Sequence, residues 1–227
     1  IPLVPGEKGP WYVLTTDALV VGRHFELGLS TFYDVGWKSL AVNLSDVAAM
    51  GGRAIGAVVA LCLPPEIVVE DVQELYRGFG DLARETKTAL LGGDVVSSSE
   101  LSLSISVLGI CEQSPLLRSG AKSGDSLWVS GEIGAALLGL RQVQMARKQK
   151  EAVIVENAAV IKHRRPYPRL SLAAALSEAR FVSSMIDVSD GLLQDASHLA
   201  EMSGVLLEVW PECVVVPEEV SRGELSL

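Results

Sequence analysis

Leu101, Leu103, Ile105 and Val107 alternate without interruption with Ser102, Ser104 and Ser106. Successive strand side chains point to opposite faces, so this run is a strand with one apolar face and one face of small hydroxyls. A strand buried on both sides, as in an all-parallel sheet, would be apolar throughout. The run therefore predicts an antiparallel or mixed sheet. Its register is strongly constrained, because a slip of one residue would turn the serines into the core.

The rest of the chain alternates between strand-like and helix-like segments. Tyr12 to Leu14 and Leu19 to Val21 are short β-prone runs on either side of Thr15-Thr16-Asp17. From Asp34 a helical stripe follows through Trp37, Leu40, Ala41, Leu44, Val47 and Ala48, with Gly51-Gly52 as its stop. Asp46 falls nearly opposite that stripe, on the side of Ser39 and Asn43. A strand over Ile55 to Leu63 precedes a helix opened by Pro64-Pro65-Glu66 and carrying Val72, Leu75, Tyr76, Phe79, Leu82 and Ala83. Ala89 to Leu91 reads as a strand that delivers Asp94 just past its end. A second unit begins near Ser114, giving boundaries of 1–113 and 114–227. In it the spacing predicts a strand at Ser126 to Val129, a helix over Glu132 to Lys148, and a break over His163 to Arg169. A helix over Leu170 to Ala179, a strand-like approach from Phe181 to Ile186, a helix from Leu192, and a strand over Val205 to Val209 complete it. The basic cluster Arg147, Lys148 and Lys150 suits a helix C-terminus.

Composition narrows the function. The chain has 227 residues, 48% hydrophobic and 21% charged, which is a folded protein with a real core. A net charge of −9 argues against nucleic acid as a partner, since a nucleic-acid surface must be basic. The longest apolar run, Ile55 to Leu63, is far short of the ~18 residues of a membrane span. With no signal-peptide pattern visible, the expectation is a cytoplasmic protein with no membrane partner. Cys62, Cys111 and Cys213 are widely spaced and read as free thiols.

Five aspartates stand where apolar segments meet turns: Asp17, Asp46, Asp94, Asp187 and Asp190. Carboxylates beside glycine and small hydroxyl residues suit magnesium and polyphosphate, because hard cations take oxygen ligands and magnesium keeps positions for water and phosphate. Gathered together, such groups raise one another's pKa values unless a cation compensates them. The Ile186 to Leu192 transition is the best phosphate-site candidate, since free N–H groups at a helix start attract anions. Each aspartate also has an ordinary alternative. Asp187 and Asp190 could be strand-end and cap residues, Gly92-Gly93-Asp94 a tight turn, Thr15-Thr16-Asp17 an edge turn, and Asp46 part of a solvated helix face.

The order of these motifs resembles the thiamine-monophosphate kinase family. Residues 15–25 (TTDALVVGRHF), 35–52 (VGWKSLAVNLSDVAAMGG), 91–95, 118–125 (RSGAKSGD), 165–170 (RPYPRL) and 186–193 (IDVSDGLL) match its motifs in sequence. The resemblance implies the two-domain fold shared with aminoimidazole-ribotide synthetase, with an N-terminal α/β domain holding a mixed sheet and a C-terminal α+β domain. It implies ATP-dependent phosphorylation of thiamine monophosphate to thiamine diphosphate, with several Mg2+ ions. Carried over by position, Thr15, Thr16, Asp17, Asp46, Asp94, Asp187 and Asp190 would be metal-site residues. Gly93, Asp94, Arg118 and Ser189 would contact ATP, and His24 the thiamine phosphate. No general base is required, because the accepting phosphate oxygen is already anionic, and metal with Arg118 would stabilise the transfer.

Three departures accompany the resemblance. Family members carry a Gly-Asp-Asp-Ala stretch upstream of Thr-Thr-Asp, and this chain begins after it. Val21 stands where an acidic residue is common. The C-terminal portion that supplies further thiamine contacts is not within residue 227, so the sequence reads as a truncated piece. Another synthetase of the fold, of selenophosphate or aminoimidazole-ribotide type, and a non-catalytic nucleotide-binding relative are the alternatives. The family associates through its N-terminal sheets, and the serine-faced strand fits that use, so a two-fold homodimer is expected.

Overall fold

The structure, a computed structural model, describes residues 10–149 and 156–221. Strands β1 (Trp11–Val20), β2 (Arg53–Leu63), β3 (Ala89–Ser97) and β4 (Ser102–Cys111) form one sheet in the order β1-β4-β2-β3. The serine-alternating strand β4 is interior and antiparallel to both neighbours, while β2 and β3 run parallel. The sheet is mixed, one of the two arrangements that the one-sided pattern allows. Leu103, Ile105 and Val107 are buried, with Val59 and Leu61 beside them, whereas Ser104 is exposed on the other face.

Helices α1 (Phe32–Ala49) and α2 (Val69–Thr86) belong to the same core as the apolar face of the sheet. Thr31 caps α1 in a reciprocal box: its hydroxyl accepts from the Asp34 amide, and Asp34 accepts from the Thr31 amide. The helix ends as Gly51-Gly52 predicts. Gly51 has φ +71°, its amide donates to Ala48, and the Gly52 amide donates to Val47, which is a Schellman closure. The two helices touch at backbone distance. A Cβ on Gly36 would lie 1.9 Å from the Leu75 carbonyl oxygen, and one on Gly78 would lie 2.0 Å from that of Tyr33.

Several boundaries differ from the sequence reading. Thr15-Thr16-Asp17 is no turn: β1 runs straight through it, in unbroken register with β4. Asp94 lies inside β3 rather than past its end, because parallel pairing with β2 carries that strand on to Ser97. Pro64-Pro65 stays in the connection, and α2 begins only at Val69. The side of α1 that carries Asp46 is not solvated. Ser39 and Asn43 are fully buried, with Ser39 Oγ donating to the Gly36 carbonyl and Asn43 Nδ2 to that of Ser39.

Beyond the sheet come α3 (Ala135–Lys148), α4 (Ala158–Arg164), α5 (Leu170–Ala179), α6 (Leu192–Ser203), a 3-10 turn at Pro211–Cys213 and the short α7 (Glu218–Ser221). The helix over Leu170 to Ala179 is as read. Lys150, counted with the basic end of α3, lies outside the described residues. The expected break at His163 begins two residues later, because α4 runs through Arg164. No strand forms at 126–129, 181–186 or 205–209. Those segments have β-like composition but only isolated backbone bonds, such as Met185 N to the Leu117 carbonyl (2.9 Å), and a strand needs a continuous partner. α5 and α4 pack against α1, and Trp37 Nε1 donates to the Pro166 carbonyl at 2.8 Å, tying this half to the first.

Candidate functional site

Alternation along β1 sorts its polar residues onto two faces. Thr15 and Asp17 share the helix-covered face with buried Val13 and Leu19, while Thr16 is on the opposite face. Asp46, in the last turn of α1, accepts a hydrogen bond from the Thr15 hydroxyl. The adjacent Ser45 hydroxyl donates to Asp187 at 2.8 Å, so the loop before α6 reaches the same place. Thr15, Asp17, Asp46 and Asp187 thus converge from a strand, a helix end and a distant loop.

The electrostatics of these residues agree with their geometry. Asp17 is held above its ordinary carboxylate value, first by burial and then by the Asp187 charge, with His24 pulling the other way. Asp46 is raised first by burial. The Thr15 hydrogen bond opposes that rise, the Asp187 and Asp17 charges add to it, and Arg118 opposes it. These three carboxylates repel one another, and His24 beside Asp17 and Arg118 beside Asp46 work against that repulsion.

His24 sits in the turn after β1, where its Nδ1 accepts from the Val20 amide at 3.0 Å. That bond assigns the proton of the neutral ring to Nε2, leaving Nε2–H free to donate. Arg118 lies in an exposed segment whose backbone is fastened to α6: Ser203 Oγ donates to the Arg118 carbonyl at 3.2 Å and accepts from the Ala121 amide at 3.1 Å.

Two other expected residues lie elsewhere. Thr16 Oγ1 faces Ser106, whose hydroxyl lies 3.0 Å away on the uncovered side of the sheet. Asp94 pairs in register with Ala60, itself opposite Ser104, so it belongs to the row on that same side. Asp94 is exposed, and its carboxylate accepts from the Val95 amide. Gly93 has a structural requirement of its own: a Cβ there would meet the Val59 carbonyl oxygen at 1.9 Å. Gly92, at φ +150° with open space around it, is the glycine whose conformation an L side chain rarely adopts.

The loop before α6 holds a residue that sequence reasoning missed. Asp195 is 3% exposed, and one of its carboxylate oxygens accepts from three successive amides: Ser189 (2.8 Å), Asp190 (3.1 Å) and Gly191 (3.2 Å). Three amides of the loop that leads into this helix are therefore occupied by the chain's own carboxylate. The signal was an aspartate four positions after glycine, in the first turn of the helix, where a side chain can reach back to the amides before it. Asp190 and Ser189 are themselves exposed, with Gln194 Nε2 donating to Asp190 at 3.4 Å.

Oxygen is the donor type throughout the cluster. Among the described residues no three His, Cys, Asp or Glu side chains close tightly enough to hold a metal ion alone. Magnesium does not need that closure, since it keeps several waters and takes phosphate oxygens. No helix among the described residues is long and apolar enough to cross a membrane.

Residues 3–111 match the family model described as AIR synthase related protein, N-terminal domain. Over 91% of its length the chain is 36% identical to the thiamine-monophosphate kinase of Rhodopirellula baltica, and it spans 58% of that relative. The crystal structure of thiamine monophosphate kinase from Aquifex aeolicus superposes with a TM-score of 0.86 at 33% identity, covering 94% of this chain and 71% of that one. A solved structure of AaThiL complexed with AMPPCP and TMP gives 0.87 at 32% identity, covering 97% and 69%. The aminoimidazole-ribotide synthetase-like fold read from the motifs is therefore the fold found. With this identity over nearly its whole length, the chain belongs to the thiamine-monophosphate kinase family.

Proposed function

We propose that the intact protein transfers a phosphoryl group from ATP to thiamine monophosphate, giving thiamine diphosphate and ADP. One observation carries this reading. Thr15, Asp17, Asp46 and Asp187, brought from three separate elements, form an oxygen-lined acidic cluster with His24 and Arg118 beside it. A site made of mutually repelling carboxylates is poorly suited to a bare phosphate and well suited to phosphate accompanied by magnesium. The likeness to a relative solved with AMPPCP and TMP supports the same substrates here.

In this reading Thr15, Asp17, Asp46 and Asp187 would hold Mg2+; Thr16 and Asp94, on the other face of the sheet, and the exposed Asp190 are candidates outside this cluster. When bound, the ions neutralise charge on the triphosphate and on the developing transition state. The chain's own residues do the positioning. An oxygen of the thiamine phosphate attacks the γ-phosphorus in line, the bond to the β,γ-bridging oxygen breaks, and ADP leaves with that electron pair. No proton need be removed from the acceptor, because its phosphate oxygen is already anionic at neutral pH. His24 Nε2–H can donate to the acceptor phosphate. Arg118 offers a guanidinium fork to ATP oxygens, and Gly93 and the Ser189 side chain are further candidates for ATP contact.

The uncovered sheet face supports a homodimer. Leu14 and Val58 are exposed on it at 68% and 44%, beside the serines of β4, and apolar surface around small hydroxyls fits a second sheet. Incubating the intact protein with ATP, thiamine monophosphate and magnesium tests the activity. The expected result is thiamine diphosphate and ADP in equal amounts, abolished by chelator. ATP consumption without thiamine diphosphate would overturn the reading and point to another synthetase of the fold. Light scattering tests the dimer, and a monomeric mass with full activity would refute it.

A further inference from the structure

Away from the acidic cluster, an open groove of about 490 Å3 lies between the start of α1, the middle of α2 and the end of α4. It adjoins a second hollow of about 360 Å3 under the 27–32 loop, and Thr31, Glu74 and Arg164 line both. The second hollow is apolar, with Leu27, Leu29 and Phe32 on its wall. Asp34, at the groove, and Asp46 lie twelve residues apart on one helix, so about 18 Å separates the two places.

The ion pairs in the groove leave one cation out. Asp34 is paired with Arg165 at 3.3 Å, and Arg165 also binds Glu156. Glu74 is held by Arg77 at 2.6 Å, and Asp81 by Arg84 and by the Tyr33 hydroxyl. Arg77 and Arg165 further stack their guanidinium groups near the Tyr33 ring, at 5.2 and 5.9 Å from its centre. Every carboxylate on the wall thus has a cation. Arg164 is 9% exposed, its Nε has no hydrogen-bond partner, and no carboxylate among the described residues pairs with its guanidinium. Burying an unpaired charge is costly, and the usual remedy is an anion with hydrogen bonds to offer.

We propose that Arg164 anchors a second ligand site, which takes a small carboxylate or phosphate carrying a short apolar group. The oxyanion accepts from the terminal nitrogens of Arg164, in the fork geometry a guanidinium favours. The apolar group fills the hollow between Leu27, Leu29 and Phe32. The neighbouring His163 has its pKa pushed down to about 4, by burial first and then by Lys38 and Arg164, with Asp34 opposing. The site shares none of the residues placed at the acidic cluster, so it stands or falls independently of the proposed activity.

Binding to the intact protein, free of nucleotide and magnesium, tests this by calorimetry with hexanoate, butyl phosphate and uncharged hexanol. Both anions are expected to bind, hexanol at least about tenfold more weakly. The tighter anion identifies the headgroup. Arg164→Gln is expected to weaken the anions about tenfold, Arg164→Lys less, and Asp46→Asn not at all. In the wild-type protein the Arg164 Nε–H resonance is expected to shift on titration, a readout that does not depend on how the variants fold. No anion binding to wild type, equal binding to Arg164→Gln, loss in Asp46→Asn, or an unmoved Arg164 signal would each overturn the proposal.

Discussion

Replacing Asp195 by alanine removes one carboxylate and strands three amides at once. The hydrogen bonds from Ser189, Asp190 and Gly191 all end on the same oxygen, and that side chain is 3% exposed. A hydrogen bond to a charged acceptor contributes about 1.5–3 kcal/mol when its surroundings are dry. Residues 189–191 are themselves exposed, so water can reach their amides in the variant and recover part of the loss. The net cost is therefore about 2–4 kcal/mol, a large share of the roughly 5–15 kcal/mol that stabilises a domain. Asp195→Asn keeps a neutral acceptor, and about half the cost is expected. Urea unfolding measures the stability, and hydrogen exchange at the three amides measures the local effect. The loop also carries Asp187, which Ser45 holds at the acidic cluster, so metal-dependent ATP affinity should fall alongside. An alanine variant with the wild-type urea midpoint and wild-type protection of those amides would refute the reasoning.

Asp46→Asn is expected to stabilise the metal-free protein near neutral pH while abolishing the benefit of added magnesium. The folded pKa of Asp46 is raised above 3.8, so its ionisation destabilises the fold as pH rises from that value through the folded pKa. The gap between variant and wild type should therefore close toward pH 3.8, and thermal melts across pH would expose a constant gap. His163 has the opposite dependence. Its pKa falls from 6.5 to about 4 on folding, so the unfolded chain takes up the proton first and stability drops as pH falls through that window. In His163→Gln this part of the acid sensitivity should vanish, and an unchanged pH profile would discount it. Gly36→Ala should cost about 3 kcal/mol by forcing α1 from α2, where the new Cβ would sit 1.9 Å from the Leu75 oxygen. A denaturation midpoint equal to wild type would mean that the helices can separate freely there.

What the sequence determined by itself was whatever depends on local periodicity and on caps. Leu101 to Val107 specified a one-faced strand, and β4 is that strand, with Leu103, Ile105 and Val107 buried and Ser104 exposed. Gly51-Gly52 specified the end of α1, because a left-handed residue after a helix is a local demand that glycine meets. Leu170 to Ala179 declared its helix to the residue. The order of motifs was enough to identify the family. Contacts between distant segments were decided only by tertiary structure. β-prone runs at 126–129, 181–186 and 205–209 stay irregular because ladder hydrogen bonds require a neighbour, which composition does not supply. Thr15 and Thr16 are adjacent in the chain, yet pairing with β4 turns one toward Asp46 and the other toward Ser106. Ser39 and Asn43 look like a solvated face until α1 is enclosed, and only enclosure makes them bond back to their own helix. Asp195 is a local case, bonding amides four to six residues back, and only the Ser45 bond to Asp187 ties its loop to the acidic cluster. For the strands, the two threonines and the enclosed side of α1 the deciding energy came from partners many residues away, which a reading of local pattern does not contain.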